Sequence, residues 1–173
     1  MKTKLRLSPQ EIWQKITAET TAAAATEPNL ANYFANTILN HKDLGAALSS
    51  YLAKKLASAA ATAPMLQDIM QEIFAKEPII TMVARDIQAT VDRDSACNLY
   101  SSPFLYFKGF LSLQAYRAAH ELWLQGRTSL ALLLQHRISI TFAVDIHPAA
   151  IIGSGVMIDH ATALVIGETA VIE

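Results

Sequence analysis

Residues 143–173 follow a six-residue repeat, which limits the possible folds of this chain more than any other feature. The aliphatic residues that open its hexads are Ile146, Ile152, Ile158, Ile166 and Ile172, with two additional residues at Leu164-Val165. A strand with one buried face alternates apolar and polar residues every two positions, and this segment does not. One aliphatic side chain in six, with small residues between, is typical of a triangular β-solenoid. We therefore predict the start of a parallel β-helix rather than irregular β-hairpins.

Residues 1–142 have a helical pattern instead. Five of the six prolines fall just before or at the start of a helical segment, where a helix does not need the missing N–H. Ser8 and Glu11 have the spacing of a capping box. We expect about seven helices, over residues 9–25, 28–40, 43–57, 64–76, 78–92, 103–126 and 129–141. The segment over residues 103–126 is apolar over most of its circumference, so we expect it to run through the core. The chain thus divides into an all-α domain, residues 1–142, and the incomplete start of a β-helical domain, residues 143–173.

Charge and composition exclude several classes of partner. The chain has 14 Lys and Arg against 15 Asp and Glu, so no basic field indicates nucleic-acid binding. No apolar stretch is long enough to span a membrane, and the N-terminus lacks the apolar core of a signal peptide. Cys97 is the only cysteine, which rules out an internal disulfide. We expect a soluble, cytoplasmic protein whose partners are small molecules or other protein chains.

Three stretches of the sequence resemble the serine acetyltransferase family. They are "KDLGAALSSYLAKKL", "DIQATVDRDSACNLYSSPFLYFKGFLSLQAYRAAHELW" and "VDIHPAAIIGSGVMIDHATALVIGETAVIE". The resemblance covers the N-terminal two-thirds of such an enzyme. It implies an α+β fold in sequence order, with an all-helical N-terminal domain followed by a left-handed parallel β-helix. It also implies transfer of acetyl from acetyl-CoA, a co-substrate rather than a bound cofactor, to the L-serine hydroxyl, giving O-acetylserine for cysteine biosynthesis.

Such a transfer needs a base for the serine hydroxyl, and His160 is the candidate, because imidazole titrates near neutral pH. A histidine is a better general base when a carboxylate fixes the tautomer of its imidazole. Asp145 and Asp159 are both near His160 in sequence. With three hexads per coil, Asp145 would lie below residue 163, about 4.8 Å away, and could approach His160. The resemblance likewise implies that Asp145 and His160 form the catalytic dyad.

The resemblance further implies that Asp94, in "DRDS", and Asp159 bind the amino group of serine. Two carboxylates facing one ammonium make a chemically reasonable recognition site. A zinc site at His147, Asp159 and His160 is the weaker interpretation, since the family needs no metal and no further ligand is nearby. We assign no cofactor-binding and no metal-binding residue in this chain.

Two residues depart from the family pattern. Ala163 stands where a glycine is expected, and Ser95 stands where a proline is usual. We expect the first to tighten a corner of the solenoid and the second to loosen the Asp94 loop. Neither change removes a functional group.

The visible repeat covers about one and a half coils, whereas a solenoid needs at least about three repeats to bury a continuous core. We therefore interpret the chain as C-terminally truncated relative to the family. By resemblance, the absent part holds the remaining coils, the coenzyme A groove, the Arg and His that bind the serine carboxylate, and the tail that binds cysteine synthase. L-cysteine would be a feedback inhibitor at the serine site.

Two functions stay open at this point. The first is a serine O-acetyltransferase, of which these residues alone would be inactive. The second is a non-catalytic oligomerisation module, since the family's helical domain joins two trimers into a hexamer. A hexapeptide acyltransferase for a sugar or an antibiotic is a weaker third hypothesis, because the helical domain and "DRDS" argue against it.

Overall fold

The computed structural model describes residues 6–173, in which eight α-helices precede four short β-strands. The helices are α1 (Pro9–Thr26), α2 (Ala31–Phe34), α3 (Leu44–Leu56), α4 (Ala63–Phe74), α5 (Glu77–Arg93), α6 (Ser101–Tyr106), α7 (Lys108–Leu124) and α8 (Thr128–Phe142). The strands are β1 (Val144–Ile146), β2 (Ile151–Ile152), β3 (Leu164–Ile166) and β4 (Val171–Ile172). None of the helices within residues 6–173 is long and apolar enough to cross a bilayer.

The predicted capping box at the start of α1 is confirmed. The Ser8 hydroxyl accepts from the backbone N–H of Glu11 at 3.3 Å, and the Glu11 carboxylate accepts from the backbone N–H of Ser8 at 2.8 Å. These two bonds satisfy donors that the first helical turn leaves unpaired. The Ser8 backbone N–H and the Ser8 hydroxyl both donate to the Glu11 carboxylate and so lower the pKa of the Glu11 carboxyl.

Two of the predicted helices are interrupted. The segment expected over residues 28–40 is a 3₁₀ turn at Pro28–Leu30, then α2, then a π-helical turn at Ala35–Leu39. The single helix expected over residues 103–126 is wrong, because Phe107 has an extended backbone (φ −89°, ψ 108°) that separates α6 from α7. This break brings the N-terminus of α7 against the β-helical segment.

Helix α7 forms the centre of the core. Every residue from 109 to 119 is buried, as the apolar circumference of this segment predicts. The largest fully buried side chains come from α7 and the helices around it. They are Ile12, Ile16, Ile38, Leu44, Leu48, Leu52, Leu56, Leu66, Met70, Phe74, Phe104 and Tyr116.

The four strands pair in parallel, β1 with β3 and β2 with β4. Val144 lies opposite Leu164 and Ile151 opposite Val171, so one coil advances by 20 residues. The predicted offset, which put Asp145 below residue 163, is therefore wrong: Asp145 lies opposite Val165. The two additional residues lengthen the turn before β3.

The first coil is fastened to the helical bundle by side chains of α5 and α7. The Tyr116 hydroxyl donates to the carbonyl of Ala150, and His120 Nδ1 lies 2.7 Å from the carbonyl oxygen of Pro148. The Arg117 guanidinium donates to the carbonyls of Ile152 and Gly153 at 3.2 and 2.7 Å. Asp86 accepts from the amides of Gly155 and Val156 at 2.8 and 3.0 Å. These contacts fix the backbone that leads into residues 157–160.

Candidate active site

A cavity of about 400 Å³ lies between the α5–α6 connection, the N-terminus of α7 and the turn that follows β2. Its lining brings together three of the four site residues predicted from sequence: Asp94, Asp159 and His160. The remaining lining residues are Thr90, Ala96, Tyr106, Phe107, Lys108, Gly109, Met157 and Ile158. Residues that are far apart in sequence thus meet in one concave site, the usual form of a small-molecule pocket.

Asp94 follows the last residue of α5. Its Oδ1 accepts from the backbone N–H of Ala96 at 2.8 Å, and its carbonyl accepts from Cys97 N–H at 3.1 Å. These bonds close a turn around Ser95 and fix the Asp94 side chain at the cavity. Arg93 extends to the carbonyl of Gly155 at 2.7 Å and so ties this turn to the first coil.

Asp159 and His160 lie on the exposed side of the cavity. Asp159 Oδ1 accepts from the backbone N–H of His160 at 2.8 Å and is 3.6 Å from His160 Nε2. The His160 side chain is 96% exposed, and Asp159 is 66% exposed. The imidazole is thus reachable by a substrate, and the longer contact is too weak to fix its orientation.

Asp145 is on β1 and is half-buried. Its Oδ1 accepts from Nε2 of Gln135, on α8, at 2.7 Å. Within residues 6–173 no hydrogen bond or ion pair joins Asp145 to His160, whose neighbouring carboxylate is that of Asp159. The 20-residue coil accounts for this placement, because it puts Asp145 beside Val165 rather than beside the turn before β3.

The contacts of His147 are those of a residue that stabilises the fold. Its ring packs edge-on against Trp123, with the ring centroids 5.2 Å apart, and its Nδ1 accepts from the backbone N–H of Ala149 at 3.1 Å. Across the described residues, no group of three His, Cys, Asp or Glu side chains could hold a metal ion.

The turn that carries Asp159 and His160 is held by two residues that sequence reasoning missed, Lys108 and Gly109. Lys108 Nζ donates to Thr162 Oγ1 at 2.7 Å, and Gly109 packs directly against the carbonyl of Ile158. The available signal was a lone Lys-Gly step inside the apolar run "FLYFKGF".

The buried pair Asp86 and Arg117 was also missed. Both positions lie among buried residues of their helices, and a charge at such a position indicates a buried ion pair. Asp86 shares its face with Val83, Ile87 and Thr90, all of them buried.

The chemistry of the cavity follows from its charges. Two carboxylates, Asp94 and Asp159, favour a small cation such as an ammonium group. His160 places an imidazole beside them, so a group attached to the bound cation could lose a proton to it.

Comparison with known proteins points in the same direction. Residues 12–115 match the family model described as serine acetyltransferase, N-terminal. The serine acetyltransferase of Escherichia coli (strain K12) is 52% identical over 163 residues, which are 94% of this chain and 60% of that protein. The chain thus spans about 60% of the length of this curated relative.

Solved structures agree in fold as well as in sequence. A serine acetyltransferase in complex with cysteine has a TM-score of 0.92 and 51% identity, covering 96% of this chain and 69% of that one. A serine acetyltransferase in complex with CoA has a TM-score of 0.92 and 52% identity, covering 95% and 70%. Since the family model matches more than half of the residues, and the helical bundle and first coil superpose on these enzymes, the chain belongs to the serine acetyltransferase family.

Proposed function

We propose that the protein containing these residues is a serine O-acetyltransferase, which transfers the acetyl group of acetyl-CoA to the hydroxyl of L-serine. The observation that carries the proposal is the single cavity shared by Asp94, Asp159 and His160. The relatives' name and the bound CoA in a solved relative support the two substrates. The product would be O-acetylserine, a precursor for cysteine biosynthesis.

In the proposed reaction, Asp94 and Asp159 bind the serine ammonium and thereby place its hydroxyl near His160. His160 removes the hydroxyl proton as the oxygen attacks the thioester carbonyl. A C–O bond forms, the C–S bond breaks, and the coenzyme A thiolate leaves and takes up a proton from the imidazolium. The products are O-acetylserine and free coenzyme A, with neutral His160 restored.

Asp145 is the proposed carboxylate partner of the His160 imidazolium. Asp145 lies on β1, which pairs with β3 directly after the turn that carries His160, and this adjacency supports the role. The Gln135 amide holds one oxygen of Asp145. The exposed His160 side chain must turn towards Asp145 when substrate binds, a rearrangement common when catalytic contacts form.

We infer three kinds of partner for the whole protein. L-cysteine has the same ammonium group as serine, and the cysteine complex of a solved relative supports its binding in the same cavity as a feedback inhibitor. Exposed apolar side chains on and beside the first coils, at Ile140, Ile151, Val165 and Val171, support self-association, which we propose to be a dimer of trimers. Cysteine synthase would bind a C-terminal tail, and the cytoplasm is the proposed location.

We assign residues 1–142 as the helical oligomerisation domain and residues 143–173 as the start of the acyltransferase domain. A second candidate function for these residues is a non-catalytic oligomerisation module. The observation that favours it is the His160 side chain, which is 96% exposed and has no hydrogen bond to Asp145 among the described residues.

The deciding experiment measures thiol release from acetyl-CoA in the presence and absence of L-serine. It uses both the 173 residues alone and the same residues continued by the C-terminal part of the Escherichia coli relative. We expect serine-dependent thiol release from the continued chain and none from the 173 residues. Inactivity of both proteins, with each folded, would favour the oligomerisation module.

A further inference from the structure

The turn between β2 and β3 contains two backbone conformations that alanine rarely adopts. Ala161 has φ 57° and Ala163 has φ 60°, both in the left-handed region, and they flank Thr162. Each such residue costs roughly 1–2 kcal/mol relative to an ordinary conformation. A turn with two of them keeps its shape only if neighbouring groups hold it.

The N-terminus of α7 supplies such groups. Lys108 Nζ donates to Thr162 Oγ1 at 2.7 Å, between the two left-handed alanines. Gly109 lies so close to the turn that an added Cβ would overlap the carbonyl of Ile158. The same Cβ would lie 3.4 Å from the Cβ of Ala161, so the helix and the turn are in contact on both sides of Asp159 and His160.

A half-buried lysine that donates to one threonine commonly does no more than stabilise the local fold. The position of Lys108 beside the cavity means that its contact also affects the site residues. Lys108 also lines the cavity that contains Asp94, Asp159 and His160. Its contact at Thr162 is two residues from His160. Among the described residues, the His160 side chain is restrained only by the 3.6 Å contact with Asp159. Whatever fixes Thr162 therefore fixes the backbone from which His160 reaches the cavity.

We propose that Lys108 is a positioning residue, which holds the turn of residues 157–163 against α7 so that His160 and Asp159 face the cavity. The inference rests on the proposed function, because it assigns these two residues to the reaction. Lys108 acts through Thr162 and does not touch the reacting atoms. Its contribution comes from the order of the turn before substrate arrives.

The first test does not depend on enzymatic activity. In the 173 residues, ¹⁵N relaxation of the backbone amides should show greater mobility at residues 158–163 in Lys108→Met than in the unchanged chain. Thr162→Val should have the same effect, and the double variant should add little to either single variant, since both remove one contact. Lys108→Arg, which keeps a charged donor, should restore the order. The matched control is Lys54→Met, which removes an exposed lysine on α3 and should leave the turn unchanged.

The second test uses the continued chain. Lys108→Met should lower kcat/KM for serine about tenfold, the size of one lost charge-assisted hydrogen bond, and leave the KM for acetyl-CoA unchanged. Lys108→Arg should recover most of the lost activity. If Lys108→Met leaves both the turn dynamics and kcat/KM for serine unchanged in an active protein, the inference is wrong. If the unchanged protein releases no thiol with serine, the proposed function fails, while the relaxation experiment still decides whether Lys108 orders the turn.

Discussion

The Asp86 carboxylate and the Arg117 guanidinium form an ion pair 2.7 Å long, and both side chains are almost completely buried. Burial raises the pKa of the Asp86 carboxyl above its usual value, and Arg117, the Val156 amide and Gln114 offset only part of this rise. The five donors around Asp86 favour the ionised form, which is the form that can accept from all of them. Through this pair, two core helices hold the backbone of the first coil.

Breaking this pair from one side should destabilise the protein strongly. Arg117→Met leaves Asp86 buried without its cation, so we expect a loss of about 3–5 kcal/mol in the free energy of unfolding. Urea denaturation followed by circular dichroism measures it. The matched control is Lys76→Met, which removes the exposed partner of Glu121 and should cost less than about 1 kcal/mol. A loss from Arg117→Met as small as that of the control would show that the pair does not hold the coil.

Replacing two alanines that have a left-handed backbone by glycine should stabilise the protein. Ala143 (φ 54°) ends α8 and Ala163 (φ 60°) precedes β3, and glycine adopts this region without the clash of a Cβ. We expect Ala143→Gly and Ala163→Gly each to raise the free energy of unfolding by up to about 1 kcal/mol. Ala22→Gly, in the exposed interior of α1, is the control and should lower it by about 1 kcal/mol. Destabilisation by all three would contradict the strain assigned to residues 143 and 163.

The local features of the fold followed from sequence, and the long-range ones did not. The Ser8–Glu11 capping box and the apolar circumference of α7 depend on residues within a few turns, and both predictions are confirmed. The break at Phe107 gives no such local signal, and it accompanies the contact between Gly109 and the turn at Ile158, far away in sequence. Long-range packing overrides local propensity in such places.

In the candidate site, too, the residues in short motifs could be predicted from sequence, and the residue that depends on long-range register could not. Asp94, Asp159 and His160 stand in short motifs, and the structure places them around one cavity. The placement of Asp145 depended on the coil offset, which two additional residues change from 18 to the observed 20. A repeat count in sequence shows that residues were inserted, but it does not show which turn takes them up.

His160→Ala in the continued chain should lower kcat for serine acetylation by about 10²–10⁴, the usual contribution of a general base. The KM for serine should change much less, since the carboxylates and not the imidazole bind the ammonium. Asp145→Asn should also lower kcat, and by less if Asp145 only orients the imidazole. Steady-state thiol release measures both variants. Turnover near that of the unchanged protein in His160→Ala would remove His160 from the mechanism.

Asp94→Asn and Asp159→Asn should weaken serine binding rather than the chemical step. Each removes a negative charge from the cavity that we assign to the serine ammonium, a contact worth roughly 2–5 kcal/mol when desolvated. The exposure of Asp159 puts it at the lower end of this range. Separate measurement of the KM for serine and for acetyl-CoA decides the assignment. An increase for acetyl-CoA alone would contradict it.

Tyr116 should make the fold sensitive to alkaline pH. Burial raises the pKa of its hydroxyl from 10.0 to about 12, and the hydroxyl donates to the carbonyl of Ala150 in the first coil. Because the folded state holds this proton more tightly than the unfolded chain, the contribution to stability is complete below pH 10 and is lost as pH rises towards 12. Tyr116→Phe loses the hydrogen bond, so it should be less stable by about 1 kcal/mol at pH 7.

Between pH 10 and pH 11, the free energy of unfolding should fall less in Tyr116→Phe than in the unchanged chain. The difference should be up to about 1.4 kcal/mol, because phenylalanine has no hydroxyl proton to lose on unfolding. Urea titrations at pH 7, 10 and 11 give the three free energies for each protein. The other tyrosines titrate in both proteins and cancel in the comparison. Parallel curves for the two proteins from pH 7 to pH 11 would mean that Tyr116 ionises as readily in the folded chain as in the unfolded one, and that its hydroxyl does not hold the first coil.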